Sequence, residues 1–190
     1  LIAENLRTML PTIVSRCQHI KFSPLDVKKI ATTLEKRLNV DATSAMNAAQ
    51  FSKGSYSRAR GFVSENLEEK LKSGLEFLRA GVTSNFEKAA LIADKWSKTT
   101  SSHDRNEKFD FLSYWISGAL KQSVFHEESK LDIMSVCDFD NITRKMASLY
   151  SPLQLSESLR VVEETRLAVY NNAIAPLAIF ALVINLHRIF

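Results

Sequence analysis

The sequence predicts an all-α protein, and three observations carry that prediction. Glycine and proline are scarce, at five and four in 190 residues. Apolar residues recur at helical spacing along most of the chain. Capping residues repeatedly stand just before those runs. With 45% apolar and 24% charged residues, the composition is that of an ordered globular chain, long enough for one large domain or two small ones.

The first 22 residues are the exception to the helical pattern. LIAE (1–4) reads as the end of a buried strand, Asn5 to Leu10 as one helical turn interrupted by Pro11, TIVSRC (12–17) as a second short turn, and HIKF (19–22) as an alternating strand. The chain opens on Leu inside an apolar stretch, so it is read as a segment of a longer protein.

Helices follow. In SPLDVKKIATTLEKRLN (23–39), Ser23 is the expected N-cap, Pro24 suits the first helical position, and Asp26 favours the dipole of the first turn. Val27, Ile30, Ala31, Leu34 and Leu38 form its apolar stripe. Asp41 is placed to cap a second helix, ATSAMNAAQFS, whose small residues allow close packing. KGSYSRARGFVSE (53–65) supplies a glycine break and a third short helix. Residues 23–65 therefore read as a compact three-helix unit.

From residue 67 the chain is expected to be helical throughout. LEEKLKSGLEFLRAG is followed by SNFEKAALIADKWSK, where Ser84 and Glu87 have capping-box spacing. Next comes a longer helix with Phe109, Leu112, Trp115, Ile116, Ala119 and Leu120 on one face. DNITRKMASLY is short, with Asp140 as its cap. The Ser151-Pro152 start then opens a helix with Leu155, Leu159, Val162 and Val169 on one face. PLAIFALVINLHRIF (176–190) reads as a buried core helix, too short and too interrupted by Asn185 and His187 to cross a bilayer. SKTTSSHDRNE (97–107) is the expected flexible loop.

Charge divides the chain. Residues 1–66 hold ten Lys and Arg against five Asp and Glu, a net of +5, and residues 67–190 hold 15 against 16, a net of −1. A basic front and a neutral back suggest two modules, the first facing either nucleic acid or nucleotide phosphates, or simply solvent. The two cysteines, Cys17 and Cys137, stand alone, which argues against a structural zinc site and fits a reducing cytosol; Cys17 is expected to be a packed core thiol. No signal peptide is visible, so the expected location is the cytoplasm.

No phosphate-binding GxxxxGK[ST] loop, GxSxG, HExxH or GxGxxG occurs in the sequence. The four histidines lie in separate segments, and His126-Glu127-Glu128 reads as solvated surface more readily than as a metal or acid–base site. Nothing here assembles a self-contained active site.

MLPTIVSRCQHIKFSPL, from Met9 to Leu25, resembles the LLPTIxSRCQxIxFxPL stretch of AAA+ clamp-loader subunits. KGSYSRARGF, with Gly54, Ser55, Arg58 and Ala59, resembles that family's third lid helix. The helical second half, with its paired Asn171-Asn172 before an apolar helix, is similar to the collar domain by pattern rather than by motif. The resemblance is sharp over 9–60 and is greatest to the delta-prime type of the bacterial DNA polymerase III clamp loader.

The resemblance implies a division of the chain. Residues 1–22 would be the remnant of an α/β AAA+ nucleotide-binding core, 23–66 the lid, and 67–190 the collar that holds a ring of subunits together. It implies that Arg16, within Ser15-Arg16-Cys17, is an arginine finger reaching ATP held by a neighbouring subunit. A planar, permanently charged guanidinium suits the charge that spreads over a transferring phosphoryl group.

The resemblance further implies partners: the gamma/tau and delta subunits through the collar, and the sliding clamp and primed DNA through the whole complex. ATP and Mg would sit in the neighbours and no cofactor in this segment. One departure concerns the third lid helix. Gamma-type subunits carry an arginine three residues after its glycine, touching their own nucleotide, whereas this chain has Ser57 there and Arg58 one residue on. A helix turns about 100° per residue, so Arg58 points elsewhere. This favours the delta-prime type over a gamma/tau-type ATPase whose Walker motifs lie outside the segment. A third alternative is a helical DNA-binding module using the basic front, with Arg58 and Arg60 as candidate DNA or phosphate contacts.

Overall fold

The computed structural model describes residues 9–83, 86–98, 102–124 and 139–190. Among these residues the protein is all-helical and forms no strand: α1 Pro11–Val14, α2 Val27–Leu38, α3 Ala42–Phe51, α4 Tyr56–Ser64, α5 Leu67–Val82, α6 Phe86–Ser97, α7 Ser102–Val124, α8 Phe139–Leu149, α9 Pro152–Tyr170 and α10 Ala175–Ile189. The expected strand at 1–4 and the Ser84 cap lie outside the described residues.

Residues 19–22 do not form the strand that their alternation suggests. They are exposed and without regular structure, with no neighbouring strand among the described residues to take their backbone hydrogen bonds, and alternation alone does not make a strand. Pro11 opens α1 at a position where its missing N–H costs nothing; the turn expected over 5–10 lies mostly outside the described residues.

The first long helix begins later than the sequence suggests. Asp26, not Ser23, is the N-cap of α2, its carboxylate accepting from the Lys29 N–H at 3.1 Å. Pro24 and Leu25 stay outside the helix because they are clasped from the side. The Leu25 N–H donates to the Gly54 carbonyl at 2.9 Å, and Gly54 has a φ of 82°. A Cβ on Gly54 would stand 2.3 Å from the Cβ of Pro24. Only glycine combines that backbone with that approach. Gly54→Ala is therefore expected to destabilise the protein by about 1–3 kcal/mol, measured by urea denaturation; an unchanged midpoint would show that the clasp contributes nothing.

Asp41 caps α3 through the Ser44 N–H at 2.9 Å, and Ser55 caps α4. α2, α3 and α4 pack on one another through Ile30, Ala31, Leu34, Ala45, Ala48, Ala49 and Ala59. The chain then turns at Glu65 and Asn66, the latter at a φ of 27°, into a bundle of α5 to α10. There α7 packs on α5, α8 and α9, and α10 packs on α5, α6 and α9. Small residues set two of these crossings. Gly74 of α5 faces Phe111 of α7, and Gly118 of α7 faces the ring of Phe139 on α8 so closely that a Cβ would lie 2.5 Å from it.

The core of the bundle centres on Trp115, which is fully buried and donates its indole N–H to the Leu71 carbonyl at 3.0 Å. Phe139 lies beside it, ring centroids 4.9 Å apart, and Phe77 stacks on Trp96 at 4.4 Å. α9 opens with a full capping box, Ser151 and Gln154 bonding each other's backbone N–H groups after the expected Ser-Pro start. Leu155 and Val162 of its expected face are fully buried, with Leu159 and Val169 packed against the core.

Three other expectations change. Much of the expected 97–107 loop is helix: α7 begins at Ser102, and Glu107 is buried in it as the partner of Lys70. Asp140 is not a cap but lies inside the first turn of α8. The apolar C-terminal stretch buries only one face. Ile179, Leu182, Val183 and Leu186 of α10 enter the core, while Leu177, Phe180, Ala181 and Ile184 form an exposed stripe at i, i+3, i+4 and i+7. No helix among the described residues is long and apolar enough to cross a membrane.

Candidate functional site

Ser15, Arg16 and Cys17 form the tight turn that ends α1. The Arg16 N–H donates to the Ile13 carbonyl at 3.1 Å and the Cys17 N–H to the Val14 carbonyl at 3.4 Å, while the Ser15 hydroxyl donates to the Thr12 carbonyl at 3.3 Å. His19 Nε2 lies 3.0 Å from the Val14 carbonyl, folding the chain back over the turn. These local bonds hold the backbone and leave the arginine head out of them. Arg16 is exposed and has no ion pair among the described residues. An arginine presented this way is free to meet a phosphate or carboxylate of another molecule.

Cys17 is not the packed core thiol expected from its neighbours. It is exposed, because α1 and the extended stretch after it lie on the outside, with no element packed over them among the described residues. Cys137 and His126-Glu127-Glu128 lie outside the described residues, and among those described no cluster of His, Cys, Asp and Glu has the makings of a metal site.

The candidate phosphate contacts on α4 separate in the structure. Arg60 is exposed. Arg58 is turned inward, its side chain only 22% exposed, with Nη2 2.9 Å from the carboxylate of Asp110 on α7 and the guanidinium 5.8 Å above the Phe62 ring. No hydrogen bond or ion pair joins Arg58 or Arg60 to the Arg16 turn. Arg58 is thus engaged with the bundle, and Arg60 is not.

Asp110 gathers more than Arg58. Lys53, in the turn after α3, reaches it at 2.7 Å, and Arg166 of α9 at 3.2 Å; Arg166 also pairs with Glu163, which accepts from the Ser113 hydroxyl at 3.1 Å. The cluster lines a cleft of about 410 Å³ with Asn106, Glu107 and Tyr170. Sequence reading missed this constellation, since Lys53, Arg58 and Arg166 each lie more than 50 positions from Asp110, on separate elements. The one available signal was the excess of cations in the front third.

Burial alone would raise the Asp110 carboxyl above its ordinary 3.8, but the hydrogen bonds from Lys53 and Arg58 and their charges outweigh it and hold it lower. A carboxyl depressed in the folded state contributes stability above its ordinary pKa and loses it as pH falls through the depressed value. The stability gap between wild type and Asp110→Asn, followed by urea denaturation from pH 6 to pH 2, is therefore expected to shrink toward the acid end. A gap that stays constant would show that the cations do not lower the carboxyl's pKa in the folded state.

Among the described residues, the fold and the Arg16 turn define an all-helical protein with an exposed arginine on a hydrogen-bonded turn and an exposed apolar face on its last helix. No family model matches the chain, and no curated protein matches it.

Proposed function

We propose that the chain is the lid and collar of a clamp-loader subunit of the delta-prime type, taking part in ATP-driven loading of a sliding clamp onto primed DNA. The observation that carries this reading is the Ser15-Arg16-Cys17 turn, which keeps Arg16 exposed and, among the described residues, without an ion pair beside a clasped three-helix unit. In this reading α2–α4 are the lid, and α5–α10 are the collar that meets the gamma/tau and delta subunits. The exposed stripe Leu177, Phe180, Ala181 and Ile184 suits such a contact, because an apolar helix face left in water is stabilised by a partner that covers it. Arg16 completes the ATP site of a neighbour, and ATP and Mg belong to that neighbour.

A gamma/tau-type ATPase reading receives less support, since Arg58 of α4 is engaged with Asp110 and Ser57 occupies the position its own-nucleotide contact requires. A DNA-binding module receives less support too, since Lys53 and Arg58 of the basic front are taken up by the same carboxylate. The test is DNA-stimulated ATP turnover in a loader reconstituted with the full-length parent, wild type against Arg16→Ala. Turnover is expected to fall while assembly is retained.

A further inference from the structure

We infer that Asp110 is a latch that fixes how the three-helix unit α2–α4 sits on the bundle α5–α10, a device independent of the clamp-loader reading. The joint between the two units is narrow. No helix of the first packs lengthwise on a helix of the second. Its apolar part is a small aromatic group, in which Phe51 meets Phe111 and Tyr114 at 5.9 and 4.3 Å between centroids, and Phe62 meets Phe111 at 6.1 Å. Aromatic faces at such distances attract in many offsets and tilts, so they hold the units together without fixing one angle.

Direction comes from the charges. Asp110 receives Lys53 and Arg58 from the three-helix unit and Arg166 from α9, on a side chain that is 14% exposed. One carboxylate thus ties the turn between α3 and α4, the start of α4, and α9 to the middle of α7. Two features show that the unit is built around this contact. Lys53 holds a φ of 53°, a left-handed backbone unusual for lysine, in the same turn as Gly54. The Nε of Arg58 is buried without a hydrogen-bond partner, so Asp110 is the group that anchors its head. One turn along α7, Glu107 plays a parallel part, pairing with Lys70, which also holds Glu65 at the crossover between the units. That second tie lies at the pivot, whereas Asp110 reaches across to Lys53 at the far side of α4 in sequence and restrains rotation about it.

The latch is tested on the full chain with spin labels at Thr43→Cys in α3 and Ser156→Cys in α9, in a Cys17→Ser and Cys137→Ser background, by pulsed dipolar spectroscopy. The parent is expected to give one narrow distance distribution. Asp110→Asn is expected to broaden it at least twofold with helicity by circular dichroism unchanged, and Asp110→Glu to narrow it again. Lys53→Met combined with Arg166→Met keeps the carboxylate, removes two of its cations, and is expected to broaden it as well. A distribution as narrow as the parent's in either folded variant would overturn the inference. So would loss of helicity in both, which would make Asp110 a determinant of the fold and not a latch.

Discussion

Trp115→Ala is expected to destabilise the protein by about 3–5 kcal/mol, the range for deleting a fully buried tryptophan. Trp115 has no exposed surface, and its removal would leave a cavity bordered by α5, α7 and α8. The neighbours are poorly placed to collapse into it, because Gly118 already holds Phe139 against α7 and Gly74 holds Phe111 against α5. The indole N–H also bonds the Leu71 carbonyl at 3.0 Å, an interaction contributing about 1 kcal/mol. Against a total stability of about 5–15 kcal/mol, the loss is a large fraction, and the melting temperature is expected to fall by about 6–20 °C. Trp115→Phe retains most of the volume and is expected to recover more than half of the loss. A Trp115→Ala protein within about 1 kcal/mol of wild type would mean that the bundle is not organised around this residue.

What was legible in the sequence was local. The Ser151-Pro152 start of α9, the Asp41 cap and the helical stripe of α2 depend on residues no more than four positions apart, so spacing alone exposes them. The start of α2 was misplaced because Ser23 and Asp26 are both good caps and Pro24 suits a first helical turn. The choice between them is made by Gly54, far along the chain, whose carbonyl accepts from the Leu25 N–H. Similarly, α10 is apolar on nearly every side, and nothing within it tells which face is buried. That decision rests with α5, α6 and α9. The strand at 19–22 failed for a related reason, since pairing is a property of two strands and alternation a property of one.

The candidate site divides the same way. Arg16 lies on an exposed turn and leaves no periodic signal, so resemblance alone singled it out, and the structure adds that its head is exposed and has no ion pair among the described residues. Asp110 had neither signal. Its importance comes from Lys53, Arg58 and Arg166 arriving at one carboxylate from three directions, a convergence that exists only after folding. The same convergence explains why the basic front is a poor guide to nucleic-acid binding. Part of its charge neutralises the bundle, and Lys28, Lys29 and Lys36 remain on the exposed face of α2.

Arg16→Ala is the other change expected to have a large effect, and it leaves stability almost untouched. The side chain is exposed and its backbone bonds do not depend on it. Surface changes away from buried contacts usually shift stability by less than about 0.5 kcal/mol. Its effect on turnover rests on electrostatics. A guanidinium that reaches a transferring phosphoryl group stabilises charge spread over its oxygens, and trans-acting arginines of small GTPases contribute about 10³–10⁵ in rate. In the proposed ring the ATP sites would fire in concert, so that losing one finger stalls the whole cycle; on that proposal a loss of at least about tenfold, equal to about 1.4 kcal/mol of barrier, is the expected floor. Arg16→Lys keeps the charge but not the planar fork and is expected to rescue little.

The most direct measurement is therefore steady-state ATP hydrolysis, stimulated by primed DNA and sliding clamp, in a loader reconstituted with the full-length parent, with assembly checked by sedimentation velocity. An intact complex in which Arg16→Ala loses at least about tenfold in turnover is the predicted result. An intact complex with wild-type turnover would contradict a trans-acting role for Arg16, and failure of the wild-type chain to enter the complex at all would contradict the clamp-loader assignment itself.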